Sequence, residues 1–447
     1  MRRRISIVIA MCMLFTLSGC FGNNEKKEEV AKTKDVKSVI VQGKIIDVTS
    51  THFSIVTSAN KEYEFNRTEM QMKDGELKKD IVIQVSYIVK DGVMYAQKGT
   101  ILENEVSTDD QRQSIDDIIS QMSIEEKVGQ MIFVRSPEDN AMSDVASYHL
   151  GGYILFDRDF HQNSYQEVID NIASYQSQAK VPLLIGVDEE GGSVVRLSKY
   201  TAFRGVPFWS PQSLYNYGGY DLIRSDTIEK ATLLKNIGIN VNLAPVADVS
   251  IDPNDFINAR SFGKNATETA TYVATVVSIM KENNLGSTLK HFPGYGNNVD
   301  THTGISVDKR TYENFVESDF LPFIAGIEAG VDSILVSHNI MTCVDKDGPA
   351  SLSSKVHEIL RNELGFQGVI MTDDLAMDAI KDYIDSSAAA INAINAGNDM
   401  LICSDYREQI PAVIEAIEQG EIDVKQLDVS VKRILTWKAN MGLIDVK

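Results

Sequence analysis

The residues best suited to chemistry fall in four short stretches. The richest is Lys290-His-Phe-Pro-Gly-Tyr-Gly-Asn-Asn-Val-Asp-Thr-His302. Its Pro-Gly-x-Gly turn follows an apolar run and gives the backbone unusual freedom. Lys290, His291, Asp300 and His302 all ride on it. Asp300 and His302 stand two apart, close enough for the carboxylate to orient the imidazole. A nearby anion favours the imidazolium and lifts its pKa toward the range of a general acid. The bland alternative is a polar loop whose Asp and His only brace its own backbone.

The second stretch, Gly368-Val-Ile-Met-Thr-Asp-Asp-Leu-Ala-Met377, delivers two adjacent carboxylates at the end of an apolar run. One of them suits a helix N-cap. Paired carboxylates also repel, so a cation such as Lys290 or a nearby arginine must keep a nucleophile ionised. The third, Asp188-Glu-Glu-Gly-Gly-Ser-Val-Val-Arg196, turns tightly at Gly191-Gly192 and offers Asp188 and Arg196 to a polar ligand. Arg260-Ser-Phe-Gly263, after Ala244-Pro-Val-Ala-Asp248, supplies another guanidinium. Each alone fits a structural ion pair equally well. Asp188, His291, Asp300 and His302 are ligand types that metals accept. No His-x-x-x-His or cysteine-based spacing accompanies them, so neither metal nor cofactor is expected.

These stretches need a scaffold that brings them together. From residue 114 onward, eight apolar strand-like runs recur at 131–134, 152–156, 183–187, 241–244, 287–290, 334–337, 369–372 and 400–403. Amphipathic stretches at 167–177, 267–283, 312–329 and 386–396 read as helices between them. Eight β-then-α units predict an α/β fold, a (β/α)8 TIM barrel over 114–447, with a doubly wound sheet as the alternative. In such a barrel the chemistry gathers where strands end. Asp188 follows the third run, Asp248 the fourth, Lys290-His291 the fifth, His338-Asn339 the sixth, Asp373-Asp374 the seventh and Ser404-Asp405 the eighth.

Upstream, residues 38–102 carry about five short strand runs with a hairpin turn at Asp91-Gly92. They predict a small all-β barrel or sandwich that serves as a spacer or binds a glycan or partner. A polar linker, 103–113, follows it. The first 19 residues read as an export signal, with Arg2-Arg-Arg4 ahead of an apolar run too short to be a permanent span. Leu17-Ser-Gly-Cys20 resembles a lipobox, which implies lipidation at Cys20. The polar stretch 20–37 has little to bury and predicts a disordered tether. The expectation is an extracytoplasmic monomer, lipid-anchored to the cell membrane. A net charge of −20 excludes nucleic acid as a partner. Apart from Cys20 the chain after the signal keeps only Cys343 and Cys403, which is no disulfide framework.

Taken together, the four stretches resemble glycoside hydrolase family 3, in its bacterial β-N-acetylglucosaminidase branch, from Ser114 to the C-terminus. The resemblance implies a retaining mechanism with Asp373, the first Asp after Thr372, as nucleophile. It implies His302 as general acid/base with Asp300 as its partner, and Asp188, Arg196, Arg260, Lys290 and His291 as ligands of the sugar hydroxyls. The Asp-x-His loop points to this branch, because family β-glucosidases use a carboxylic acid instead. Tyr295 stands where the branch usually has His, and Glu189 where Gln is frequent. The implied substrate is N-acetylglucosamine β-linked to N-acetylmuramic acid in cell-wall fragments, with chitin oligosaccharides as the alternative. A β-glycoside phosphorylase, a β-glucosidase and a non-catalytic glycan-binding lipoprotein are the competing readings.

Overall fold

The structure, a computed structural model, describes residues 39–57, 61–72, 76–79, 81–90, 93–101, 108–301 and 304–446. The expected signal peptide, Cys20, the tether, the Asp91-Gly92 turn and His302 lie outside the described residues. The chain divides into two units, the first comprising Glu62–Leu102 with the chain up to Thr57, the second dominated by Glu103–Lys447.

The first unit holds six strands: β1 (Val39–Val48), β2 (His52–Val56), β3 (Glu62–Asn66), β4 (Gln71–Met72), β5 (Val82–Lys90) and β6 (Val93–Ile101). They are ordered β3-β2-β1-β5-β6-β4, and β3 also pairs with β6, so the sheet curls back on itself. Alternate side chains, among them Phe53, Ile55, Phe65, Ile83 and Val85, point into its own core. Two of the expected runs are one continuous strand, β1, whose register shifts between Ile45 and Asp47. The sequence did not announce β3, because Glu-Tyr-Glu-Phe-Asn fully buries only Phe65.

The second unit contains β7 (Ile132–Arg135), β8 (Gly152–Leu155), β9 (Leu184–Val187), β10 (Val241–Asn242), β11 (Gly286–Phe292), β12 (Val307–Asp308), β13 (Ser333–Val336), β14 (Ile340–Met341), β15 (Val369–Thr372) and β16 (Leu401–Cys403). Eight of these form one sheet in the order β15-β13-β11-β10-β9-β8-β7-β16. The strand pairings within it are parallel. Its two ends meet at a parallel bridge, Met371 to Met400, where Thr372 N donates to Met400 O at 3.2 Å. Strands β8, β9, β13 and β15 are buried at every residue, which is why their sequences read as unbroken apolar runs.

Helices return the chain between strands, and their starts are locally encoded. Ser164 and Glu167 form a capping box ahead of Tyr165–Gln178. Asn265 caps Ala266–Glu282, and Ser210 with Pro211 opens Pro211–Ile237. The helix expected over 312–329 is broken by a π turn at Phe315–Asp319. The strand expected over 241–244 stops at Asn242, since Pro245 has no N–H for a ladder. Residues 108–113, within the expected linker, belong to the helix Thr108–Gln121. Cys343 and Cys403 are both free thiols. Among the described residues no helix is long and apolar enough to cross a membrane.

Candidate active site

Because the eight strands run parallel, their C-terminal ends share one rim, and the chemical residues collect there. Asp188 and Glu190 leave the end of β9. Two positions apart on extended chain, they face the same way, and Lys290 from β11 lies between them. Its Nζ is 2.6 Å from Asp188 Oδ1 and 2.7 Å from Glu190 Oε1. Arg260 grips the same carboxylate side-on, Nε at 3.0 Å from Glu190 Oε2 and Nη2 at 2.8 Å from Oε1. This bidentate geometry is the strong form of the contact. Arg196 reaches Asp188 Oδ2 at 3.4 Å.

Burial and charge oppose each other here, and charge wins. Burial alone would raise the Glu190 carboxyl, yet Lys290 and Arg260 hold it well below the usual glutamate range. Burial would likewise lower Lys290, but Asp188 and Glu190 keep it above the ordinary lysine value. Glu190 and Lys290 therefore both keep their charges at neutral pH. Arg196 Nε is buried with no hydrogen-bond partner among the described residues. Buried donors without acceptors are rare, and this one sits on a side chain already at the rim.

His291 is the next link. Its Nδ1 lies 2.8 Å from Asp248 Oδ2 and its Nε2 3.2 Å from Arg260 Nη2. Asp248 also accepts from His291 N at 3.1 Å and from Tyr295 N at 2.7 Å. One carboxylate thus fixes both the imidazole and the turn that follows it. The Tyr295 ring stands edge-on to His291 at 5.1 Å between centroids, and its hydroxyl hydrogen-bonds the Thr301 hydroxyl. Thr301 is flanked by Asp300, which is half-buried, and by His302. Burial, and after it the charge of Asp373, raise the Tyr295 phenol.

The base of the loop is pinned by Arg310. It donates to Gly294 O at 2.9 Å, to both oxygens of Asp319 at 2.9 Å and to Asp308 Oδ2 at 2.7 Å. The glycines are required by this anchor. At Gly294 (φ 118°) a Cβ would lie 2.3 Å from Asp319 Oδ1, and at Gly296 (φ 53°) 2.5 Å from Arg310 Cζ.

Asp373 leaves β15 with its N–H donating to Val336 O at 3.0 Å. Asp374 has a different surrounding. Its Oδ1 accepts from Ala376 N and its Oδ2 from Ser404 Oγ, each at 2.9 Å, and burial raises its carboxyl. Asp374 is thus committed to the local turn. Glu189 is structural too. It accepts from Arg196 N at 2.9 Å, Leu197 N at 3.0 Å and the Ser198 hydroxyl, away from the ionic cradle.

The structure therefore brings Asp188, Arg196, Arg260, Lys290 and His291 into one connected cluster, with Asp373 at the end of β15 on the same rim. Sequence reasoning left Glu190, Asp248 and Arg310 out of the site. For Glu190 the signal was present in its spacing from Asp188 on an extended segment. Asp248 was noted at its strand end, but nothing local tied it to His291. Arg310 carries no local signal at all. Among the described residues no group of three or more His, Cys, Asp or Glu side chains is placed to hold a metal ion.

Comparison with known proteins places this geometry. Residues 123–437 match the family described as glycosyl hydrolase family 3 N terminal domain. β-Hexosaminidase A of Pseudoalteromonas piscicida is 30% identical over 66% of this chain, which spans 54% of that protein's length. β-Hexosaminidase LpqI of Mycobacterium tuberculosis is 30% identical, with 71% of this chain and 83% of that protein aligned. A solved family 3 β-N-acetylglucosaminidase from a Paenibacillus species superposes with a TM-score of 0.67 at 30% identity, covering 72% of this chain and 63% of that one.

Proposed function

Because this chain belongs to glycoside hydrolase family 3, we propose that it is a retaining β-N-acetylglucosaminidase built on a (β/α)8 barrel, removing terminal β-linked N-acetylglucosamine. The observation that carries the reading is the grouping, at one end of the parallel strands, of Asp373 with the ion-paired cradle of Asp188, Glu190, Lys290, Arg260 and His291. The names of the similar enzymes support the substrate class.

In this reading the cradle takes the sugar hydroxyls, each charged side chain already fixed by its partner. Asp373 attacks the anomeric carbon through an oxocarbenium-like transition state and forms a glycosyl-enzyme. His302, following Thr301 and partnered by Asp300, gives its proton to the departing oxygen. Neutral His302 then takes a proton from the water that cleaves the intermediate. General acid–base assistance of this kind is worth about 10²–10⁴-fold. Cys20 carries a lipid anchor that holds a monomer at the outer face of the cell membrane, and cell-wall muropeptides are the natural substrates. The small β unit acts as spacer or glycan contact.

The test is Asp373→Asn. The variant keeps the fold by circular dichroism, loses at least about 10³-fold in turnover of an aryl β-N-acetylglucosaminide, and leaves Asp374 untouched. Wild-type turnover by Asp373→Asn, or a preference of the unaltered protein for aryl β-glucosides, refutes the assignment.

A further inference from the structure

The loop that leads from the site to the helix Pro211–Ile237 presents Trp209 to solvent, and the helix itself presents Tyr217. Trp209 is 44% exposed and Tyr217 78%, and their ring centroids lie 5.1 Å apart at an interplanar angle of 51°. Their place is set by the site itself. Gly192 N donates to Phe208 O at 2.9 Å, and a Cβ on Gly191 would lie 2.3 Å from Trp209 O. The segment 208–210 therefore rests directly on the turn after Glu190. Lys230 supports it, donating to Glu190 O at 3.2 Å while lying over the Phe208 ring at 4.9 Å.

The neighbouring loop, after β10, continues the same surface. Gln212 ties the two loops together by donating to Asn258 O at 2.6 Å. That loop exposes Ile251 and Phe256, the latter edge-on to Tyr295 at 5.7 Å. Isolated exposed apolar side chains need no explanation. A contacting Trp–Tyr pair nailed to the backbone of a charged site is a different case, since clustered apolar rims mark binding surfaces.

We propose that Trp209 and Tyr217 form an outer sugar subsite, on which a pyranose on the leaving-group side of an oligosaccharide stacks. The proposal rests on the glycosidase reading above and extends it to the substrate's length. A pyranose presents C–H bonds on its face and hydroxyls at its rim. The face suits the negative π surface of indole or phenol, and the rim stays in water. A lipid surface is the other chemistry that exposed Trp and Tyr fit. Here the cations over the Phe208 ring, Arg204 and Lys230, are held by Glu229 at 2.9 Å and Asp226 at 3.3 Å, and the chain carries a net charge of −20. Anionic lipid therefore gains no attraction, and a neutral sugar is favoured.

The chain's tryptophan content makes the test direct. It has two tryptophans, and Trp437 is 3% exposed. A change in emission on adding an oligosaccharide therefore reports Trp209. The full chain carrying Asp373→Asn is titrated with chitotetraose, and separately with phosphatidylglycerol vesicles. A quench and blue shift with chitotetraose, absent after Trp209→Phe, is the expected result. In the otherwise unaltered chain, Trp209→Ala and Tyr217→Ala should each lower the ratio of kcat/KM for chitotetraose over 4-nitrophenyl N-acetylglucosaminide about five- to tenfold. Unchanged emission at saturating chitotetraose, an unchanged ratio, or a response to vesicles alone overturns the subsite. If the unaltered protein cleaves neither substrate, the glycosidase reading has failed instead, and the fluorescence titration still decides whether the platform binds sugar.

Discussion

Replacing Glu190 by Gln tests the ionic cradle at its centre. The Glu190 side chain is 2% exposed and bonded to Lys290 Nζ at 2.7 Å and to two nitrogens of Arg260. Removing one partner of a buried charge pair costs about 3–5 kcal/mol. The lower end applies, because the glutamine oxygen still accepts one bond and Asp188 still holds Lys290. With an unfolding entropy of about 2 cal/mol/K per residue over roughly 300 residues, about 3 kcal/mol corresponds to a fall in Tm of about 5 °C. The pH dependence is the sharper signature. Glu190 has a folded-state pKa depressed below its ordinary value of 4.5, so its contribution is present above that pH and lost as pH falls beneath it. The gap between wild type and variant should be flat from pH 7 to about 5.5. By pH 3 it should have shrunk by about 2 kcal/mol, at about 1.36 kcal/mol per pH unit. Thermal unfolding followed by circular dichroism across pH 3–7 measures it. A gap that stays constant into acid, or a variant as stable as wild type at neutral pH, refutes the ionised cradle.

Two further substitutions separate neighbouring roles. Tyr295→Phe removes only the hydroxyl that bonds Thr301, beside Asp300. It should cost about 1 kcal/mol in stability and slow phenyl N-acetylglucosaminide by about tenfold, within the range of acid–base assistance. The dinitrophenyl analogue, whose leaving group needs little protonation, should slow much less; equal losses on both substrates would assign Tyr295 to structure alone. Glu189→Gln keeps an acceptor for Arg196 N and Leu197 N and offers its amide to Ser198, so activity persists and melting shifts by less than about 1 kcal/mol. Glu189→Leu strands all three donors and should lose several times as much, and equal behaviour of the two variants would contradict the hydrogen bonding described.

The scaffold was legible because nearly every residue of its eight strands is buried. The eight apolar runs could be counted, and each observed strand of the eight-stranded sheet overlaps one of them. Where a strand end is decided by something other than burial, the sequence misled. Pro245 shortened β10, while β11 ran on through Lys290 and His291 to Phe292, polar residues that ion pairs make buriable. The site was legible for the same reason in part, since strand ends in a parallel sheet share a rim. What stayed hidden was pairing. That His291 answers to Asp248, and that Arg310 holds Gly294 from sixteen positions away, are long-range facts with no local periodicity. Glu189 and Glu190 could not be told apart by type, but successive side chains on extended chain face opposite ways, and only Glu190 joins the cradle.

The pairing also bears on which acceptor the site is built for. Lys290, Arg260 and Arg196 are three permanent cations within one cluster, and a phosphate-using enzyme would hold such charges for its anionic acceptor. Here Lys290 is shared between two carboxylates and Arg260 is engaged bidentately by Glu190, while Arg196 leans on Asp188. Phosphate would have to displace Asp188 or Glu190 from a buried cation, which costs several kcal/mol before any contact is gained. A neutral sugar displaces nothing. It takes hydrogen bonds from side chains that are already ion-paired and fixed in position, including the Nε of Arg196, which has no partner among the described residues. Ion pairing within the cradle thus favours water over phosphate as acceptor.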